Sequence, residues 1–274
     1  MSIRTWLVTG CSTGFGRALA RTLLERGERV VATARESGRL AELIAPHAAR
    51  ALALDLDITR ESEIAAAVKA AVEKFGAVDV LVNNAGYGAV GAVEETSIDM
   101  ARAMMETNYF GTLAMIRSVL PHMLRRGSGR IVNIGSVAGQ IGFPLLAYYC
   151  ASKFALAGMS ESLAAELRPL GIAVTLAELG PFATDFAKNM KVNVPAAHYD
   201  LPALTRAAGN AGWAAGDDPI AGVVALLAAL DAPEPPVRII LGRPGVEVAA
   251  LHDARRAKER EKWLQVSQLA KTQQ

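Results

Sequence analysis

The sequence predicts an α/β fold: one doubly wound domain in which about seven parallel strands are flanked by helices. Three observations predict it. Short apolar runs recur at Trp6–Thr9, Val30–Thr33, Ala51–Leu54, Val78–Val82, Ile131–Ile134, Ile172–Leu176 and Arg238–Leu241. Several are near-continuous Val, Ile, Leu and Ala, the pattern of strands buried on both faces. Amphipathic, alanine-rich segments lie between them, among them Gly16–Glu25, Glu61–Lys74, Ile98–Arg125 and Tyr149–Leu167. Gly27, Gly76 and Gly171 stand just past helix ends, where a left-handed C-cap favours glycine. Strands and helices alternating in this way give a Rossmann-like sandwich, whose ligand binds beyond the carboxyl ends of the strands. The residues just after Thr9, Thr33, Val82, Ile134 and Leu176 are therefore expected to line the site.

Composition narrows the function classes. The chain of 274 residues is 51% hydrophobic and 20% charged, enough for a large core and unlike a disordered chain. Its net charge of +2 is matched by the Leu251–Lys262 stretch alone, where five Lys or Arg face three Asp or Glu. The remainder is balanced, which argues against a nucleic-acid or membrane partner. Cys11 and Cys150 lie far apart, and neither they nor His47, His122, His198 and His252 have metal-ligand spacing. That usage fits a reducing compartment, so no metal and a cytoplasmic location are expected. The chain shows no signal-peptide pattern at its start. The longest uncharged stretch, Ile131–Ser152, is interrupted by Asn133, Gln140, Pro144 and several glycines, against a membrane span.

The first strand leads into Thr9-Gly10-Cys11-Ser12-Thr13-Gly14-Phe15-Gly16 and then a helix. Glycine allows the tight turn and a close backbone approach to a pyrophosphate, and the helix N-terminus offers N–H groups and a positive dipole end. No Gly-Lys-Ser/Thr follows, which excludes a Walker A loop. The second strand ends at Ala34-Arg35, without the acid that would bond a ribose 2′-hydroxyl. A guanidinium there suits a 2′-phosphate, so NADP(H) is favoured over NAD(H). After the third strand, Asp55 and Asp57 share a face, either able to accept from an adenine amino group, and Thr59 is placed to cap the next helix.

The fifth strand is followed by Ser136, and Tyr149 and Lys153 stand at i and i+4 on one helix face. A phenol with a reference pKa near ~10 is a poor acid–base group at neutral pH. A nearby ammonium, or an oxidised nicotinamide, would lower that value. A serine hydroxyl across the cleft can polarise the reacting oxygen, completing acid–base catalysis beside a hydride carrier.

Taken together, Thr9-Gly10-x-x-x-Gly14-x-Gly16, Asn83-Asn84-Ala85-Gly86, Asn108, Ser136, Tyr149-x-x-x-Lys153 and Gly180-Pro181…Thr184 resemble the short-chain dehydrogenase/reductase family over essentially the whole chain. The Tyr149–Gly158 and Gly135-Ser136-Val137 segments are similar to its 17β-hydroxysteroid dehydrogenase-like branch in particular. The resemblance implies hydride transfer between a nicotinamide and a carbonyl or alcohol, with Tyr149 as acid–base, Lys153 lowering its pKa and holding the nicotinamide ribose, and Ser136 binding the reacting oxygen. It further implies that Asn108 holds a water relaying protons from Lys153. Asn84, Ala85 and Gly86 would pass the adenine ribose, and Asp57-Ile58 would meet the adenine. Pro181 and Thr184 would meet the carboxamide. Leu179 departs from the family's usual proline.

Residues 1–95 would then be mainly the cofactor half and 96–250 the catalytic and substrate half, followed by a charged helix or tail over 251–274. A lid with a short helix is expected near 185–216. Substrate contacts are expected from Ala138, Ile141, Phe143, Leu145 and Leu146, then from Phe182, Phe186, Met190 and Tyr199, with Trp213 beyond. Such a lining suits a hydrophobic ketone, aldehyde or secondary alcohol. Two alternatives stand beside it. One is a 3-oxoacyl thioester reductase, for which Lys188 and Lys191 would have to meet an acidic carrier; the other is an NADP(H)-binding regulatory protein without turnover. By resemblance the helices from Ile98 and Tyr149 would pair copies into a homodimer or homotetramer.

Overall fold

A computed structural model describes residues 3–193, 199–200 and 216–269. Seven parallel strands form one sheet: β1 (Thr5–Val8), β2 (Arg29–Ala34), β3 (Ala51–Asp55), β4 (Val80–Asn83), β5 (Gly129–Ser136), β6 (Ile172–Leu179) and β7 (Arg238–Leu241). Their order is β3-β2-β1-β4-β5-β6-β7, with the reversal between β1 and β4. A crevice opens at such a switch point. The predicted fold class is therefore the observed one, although β5 and β6 run further than their apolar runs suggest. Register explains this: Gly135 pairs with Glu178 and Ser136 with Leu179, so polar residues extend the ladder.

Helices cover both faces. On one, α1 (Gly14–Glu25) and α6 (Pro219–Leu230) enclose Leu19, Leu23, Val30, Val132 and Leu226. On the other, α2 (Glu61–Phe75), α4 (Thr112–Arg126) and α5 (Ala147–Leu167) enclose Val31, Val68, Met115, Ile131 and Val174. Gly27, Gly76 and Gly171 all take positive φ, as the caps require. A long helix, α7 (Arg243–Ser267), ends the described chain, with Trp263 and Leu264 half exposed.

The stretch from Ile98 is not one uniform helix. It is α3 (Ile98–Met105), a π-helical segment Glu106–Gly111, then α4. Met104 and Met115 are fully buried core residues. Among the described residues no helix is long and apolar enough to cross a membrane. Of the expected lid, residues 194–198 and 201–215 lie outside the described residues, as do His198 and Trp213. The part in view holds turns and Lys191–Val192, which pairs in parallel with Ala89–Val90.

Candidate active site

The glycine turn is built by two strands together. Thr9 Oγ1, at the end of β1, accepts from the backbone N–H groups of Asn84 (2.9 Å) and Ala85 (3.0 Å) after β4. The Asn84 amide donates back to the carbonyls of Thr9 (2.9 Å) and Gly10 (3.0 Å). Asn84 is expected beside a ribose; its side-chain amide N–H groups and its backbone N–H are committed to pinning the turn. Gly10 has φ +71°, and a Cβ there would lie 2.9 Å from Ala85 Cα. At Gly16 a Cβ would meet the Asn84 amide and stand 2.5 Å from the Gly10 carbonyl. Only glycine closes this turn.

The turn fits a pyrophosphate. Thr13, the N-cap of α1, makes no side-chain cap bond, and the first turn carries no acid, so its N–H groups point at open space with a positive dipole end. Ser12, Thr13 and Gly14 are half-buried around it. Phe15 differs from expectation: its ring packs 5.7 Å from Phe182 in the core, leaving only its backbone at the turn. Cys11 is buried beneath, its thiol pushed up to about 12 by burial.

At the adenosine end, Ala34 is buried and Arg35 exposed. Asp55 accepts from Ser37 N (2.6 Å). Asp57 Oδ1 accepts from both the N–H (3.0 Å) and hydroxyl (2.7 Å) of Thr59. Burial pushes the Asp57 carboxyl up, but the Thr59 bonds and the charges of Arg60 and Arg35 outweigh it and hold it below its ordinary value. Thr59 therefore serves Asp57 and does not cap α2, whose N-cap is Arg60. Ile58 is buried, and a Cβ on Gly111 would press 2.8 Å from its Cγ1, so its side chain packs against the helix.

The acid–base residues meet where β5 ends. Ser136 Oγ accepts from Ala138 N (3.1 Å), and the Ser136 hydroxyl stands near enough to the Tyr149 phenol to favour its ionisation. Lys153 Nζ donates to the Ile134 carbonyl (2.9 Å) and stands 5.9 Å from the centre of the Tyr149 ring. Burial dominates both ionisations. It pushes the Tyr149 phenol up to about 12, against the Ser136 hydroxyl, and pulls the Lys153 ammonium down to about 8. The depression of Tyr149 expected from Lys153 is not seen: burial sets its ionisation, and Ser136 is what opposes it. Asn108 sits in the π segment, whose wider turn directs its side chain inward. Its Nδ2 donates to Tyr87 O (2.9 Å) and Ser152 Oγ (3.0 Å), and its Oδ1 accepts from Tyr87 N (3.0 Å). Asn108 thereby ties the Tyr87 loop to α5. Gly86 is held close, since a Cβ there would stand 3.0 Å from Asn108 Oδ1.

An apolar wall completes the site. Ala138, Ile141 and Phe143 are buried in one cluster with Tyr149, and Leu146 packs at its margin. Leu145, the turn into α5, takes φ +63°, outside the usual range for leucine, and its carbonyl accepts from Gly91 N (2.9 Å). Phe186 stacks 5.7 Å from Tyr149. A Cβ on Gly88 would lie 2.7 Å from Met190 Cε and 3.5 Å from both Phe186 and Tyr149. Three side chains therefore converge on Gly88, a site residue that sequence reasoning missed; the glycine after Gly86 was the available signal. Phe182 is corrected: its ring lies over Gly222 and Phe15, in the core between α1 and α6, away from Tyr149. Thr184 lies 3.4 Å from where a Cβ on Gly14 would be, which sets it against the glycine turn, while Pro181 O accepts from Asp217 N (3.1 Å). Tyr199 is turned outward to bond Glu94. A cavity of about 670 Å³ opens beside the glycine turn, lined by Gly14, Arg17, Arg21, Thr184, Lys188 and Ile220, among others, but by none of Ser136, Tyr149 and Lys153.

Residues 4–194 match the family model described as short chain dehydrogenase. A short-chain dehydrogenase from Streptomyces avermitilis is 37% identical, covers 99% of this chain and 100% of its own, and superposes with a TM-score of 0.89. Human 17-beta-hydroxysteroid dehydrogenase type 1 is 43% identical over 67% of this chain and 58% of its own length. Two further solved relatives hold cofactors. A Burkholderia cenocepacia short chain dehydrogenase contains NADP (30% identity, 96% of this chain and 98% of its own, TM-score 0.75). A Brucella melitensis 3-ketoacyl-(acyl-carrier-protein) reductase contains NADH (27%, 84% and 91%, TM-score 0.72).

Proposed function

The chain belongs to the short-chain dehydrogenase/reductase family, and on that premise we propose that it is an NADP(H)-dependent carbonyl reductase or alcohol dehydrogenase acting on hydrophobic ketones, aldehydes or secondary alcohols. One observation carries this reading: the Ser136–Tyr149 hydroxyl pair, with Lys153 beneath it, faces an apolar wall of Ile141, Phe143, Phe186 and Met190.

The N–H groups around Gly14–Gly16 would hold the pyrophosphate of a nicotinamide dinucleotide, and the exposed Arg35 guanidinium would pair with a 2′-phosphate. When bound, the nicotinamide supplies or accepts the hydride. In the reducing direction Ser136 donates a hydrogen bond to the carbonyl oxygen, and Tyr149 gives that oxygen the proton that turns it into an alcohol. The Lys153 ammonium, on the same helix face and 5.9 Å from the ring centre, would be the cation that stabilises the phenolate left behind, which burial disfavours. Asn108 keeps α5 and the Tyr87 loop in register so that these atoms stay aligned. Hydrophobic substrate is preferred because the wall offers no charged partner to a polar one.

The thioester alternative is weakened by Lys188, ion-paired to Asp185 (3.2 Å), and by Lys191, stacked on the Tyr87 ring at 5.2 Å, since both cations are already engaged. A regulatory protein would not need the buried phenol and ammonium. We further propose a homodimer or homotetramer, for which the exposed Phe110 and Phe154 offer apolar surface, and, from the balanced charge of the chain, a cytoplasmic protein without a nucleic-acid or membrane partner.

The test is cofactor consumption with NADPH and with NADH, against a panel of hydrophobic aldehydes and ketones, for wild type and Arg35→Asp. Wild type should prefer NADPH, and Arg35→Asp should reverse the preference by about a hundredfold. Equal use of both cofactors by wild type would overturn the NADP(H) assignment, and absence of turnover with every substrate would overturn the activity.

A further inference from the structure

A charge network centred on one buried carboxylate and reaching the surface lies behind the catalytic residues without touching the reacting atoms. Glu178, on β6, has a side chain only 1% exposed. Arg238, on the edge strand β7, grips it with two bonds, Nε to Oε2 at 2.6 Å and Nη2 to Oε1 at 2.7 Å. The third guanidinium nitrogen, Nη1, donates to Glu161 Oε1 on α5 at 2.6 Å. From the other side Gln140 Nε2 donates to Glu178 Oε2 at 3.3 Å.

The ends of this network matter. Gln140 closes the turn that begins at Ser136, its N–H bonding the Val137 carbonyl (3.1 Å). Glu178 pairs in register with Gly135, one residue before Ser136, and a Cβ on Gly135 would stand 3.3 Å from its Cγ. Glu161 belongs to the helix that carries Tyr149 and Lys153. Burying the Glu178 carboxylate costs desolvation that even a close guanidinium partner often fails to repay, so stability alone gives little reason for a charge at this position. A bidentate guanidinium does fix distances and angles closely.

We propose that Gln140, Glu178, Arg238 and Glu161 are positioning residues: a charged brace that sets the Ser136 turn against the Tyr149–Lys153 helix. The proposal rests on the catalytic reading above. Gln140 and Arg238 act through one shared carboxylate, so their effects overlap and do not add.

The test uses the full chain as wild type, Gln140→Leu, Arg238→Lys and the double variant, with two readouts. The first is alkylation of Cys150 by a maleimide, resolved by mass spectrometry from alkylation of Cys11. Cys150 Sγ accepts from Phe143 N (3.4 Å) beyond the same turn, whereas Cys11 Sγ is tied to Val8 O (3.2 Å) in the core. The second is kcat with bound NADPH affinity measured alongside. Each single variant should label Cys150 about tenfold faster with Cys11 unchanged, and lower kcat about tenfold at unchanged NADPH affinity. The double variant should go no further than the larger single one. Parallel acceleration of both cysteines marks general loosening and overturns the brace. So does unchanged Cys150 labelling, or faster labelling with kcat unchanged. If wild type itself shows no turnover, the catalytic reading fails, while the labelling still decides whether the brace holds the turn.

Discussion

The acid–base centre and the segment that covers it are built on opposite principles. Ser136, Asn108, Tyr149 and Lys153 are all nearly buried, and each is fixed by hydrogen bonds to the ends of β5, the Tyr87 loop or its own helix neighbours. Phe186 and Met190 come from a strap held to the body by a two-residue strand pair, and Phe186 remains 38% exposed. Proton transfer needs alignment that does not change between substrates, so its groups belong in close-packed surroundings. Recognition of a substrate's shape can be left to a segment with few buried contacts, which is also the part able to move.

That contrast can be broken at several points, and the largest effect is expected at the glycine turn. Gly16→Ala places a methyl 2.5 Å from the Gly10 carbonyl and against the Asn84 amide, which should cost about 3 kcal/mol of stability by urea unfolding and abolish NADPH binding by fluorescence titration. A pH series sharpens the case for burial at the centre. Lys153 releases its proton at about 8 when folded and at 10.5 when unfolded. Below about pH 8 both states are protonated and the cost of burying the ammonium is fully present. Between those values only the unfolded chain holds this proton, so Lys153 contributes a rise in stability of about 3 kcal/mol across the window, set against the falls that the raised Cys11 thiol and Tyr149 phenol contribute at the same pH. Lys153→Met should lack that rise in denaturant melts taken from pH 7 to pH 11, whatever its stability at the starting point. Asn84→Ala removes two bonds to backbone carbonyls and should cost about 2 kcal/mol, with weaker NADPH binding. The smallest effect belongs to the strap. Phe186→Ala should leave the melting temperature unchanged and shift kcat/KM about fivefold toward bulkier ketones, about 1 kcal/mol in discrimination. An equal fall in kcat for every substrate would show that Phe186 serves the chemistry and not selection.

How much of this was legible in the chain follows from which interactions are local. The seven strands were legible because each carries a short apolar run, the inner ones buried on both faces, and Gly27, Gly76 and Gly171 marked helix ends through their own φ. Ser136, Tyr149 and Lys153 were legible because spacing along one strand end and one helix face fixes where they meet. Pairing between distant segments was not. The role of Asn84 as a pin depends on carbonyls more than seventy positions away, and Glu178 depends on Arg238 across a strand edge. The π segment that turns Asn108 inward interrupts a helix whose apolar period shows no break. Phe182 reads as an apolar loop residue in sequence, and only the small Gly222 opposite it explains why its ring enters the core.

The most direct measurement of the central claim is Tyr149→Phe, compared with wild type in single-turnover reduction of a hydrophobic ketone by NADPH, with cofactor affinity measured on the same samples. The substitution removes one oxygen and leaves the ring against Phe186 and Gly88. The account predicts a rate lowered by about a thousandfold with NADPH affinity within about twofold of wild type. A Tyr149→Phe protein that still reduces the ketone at the wild-type rate would contradict it, and another group would have to supply the proton.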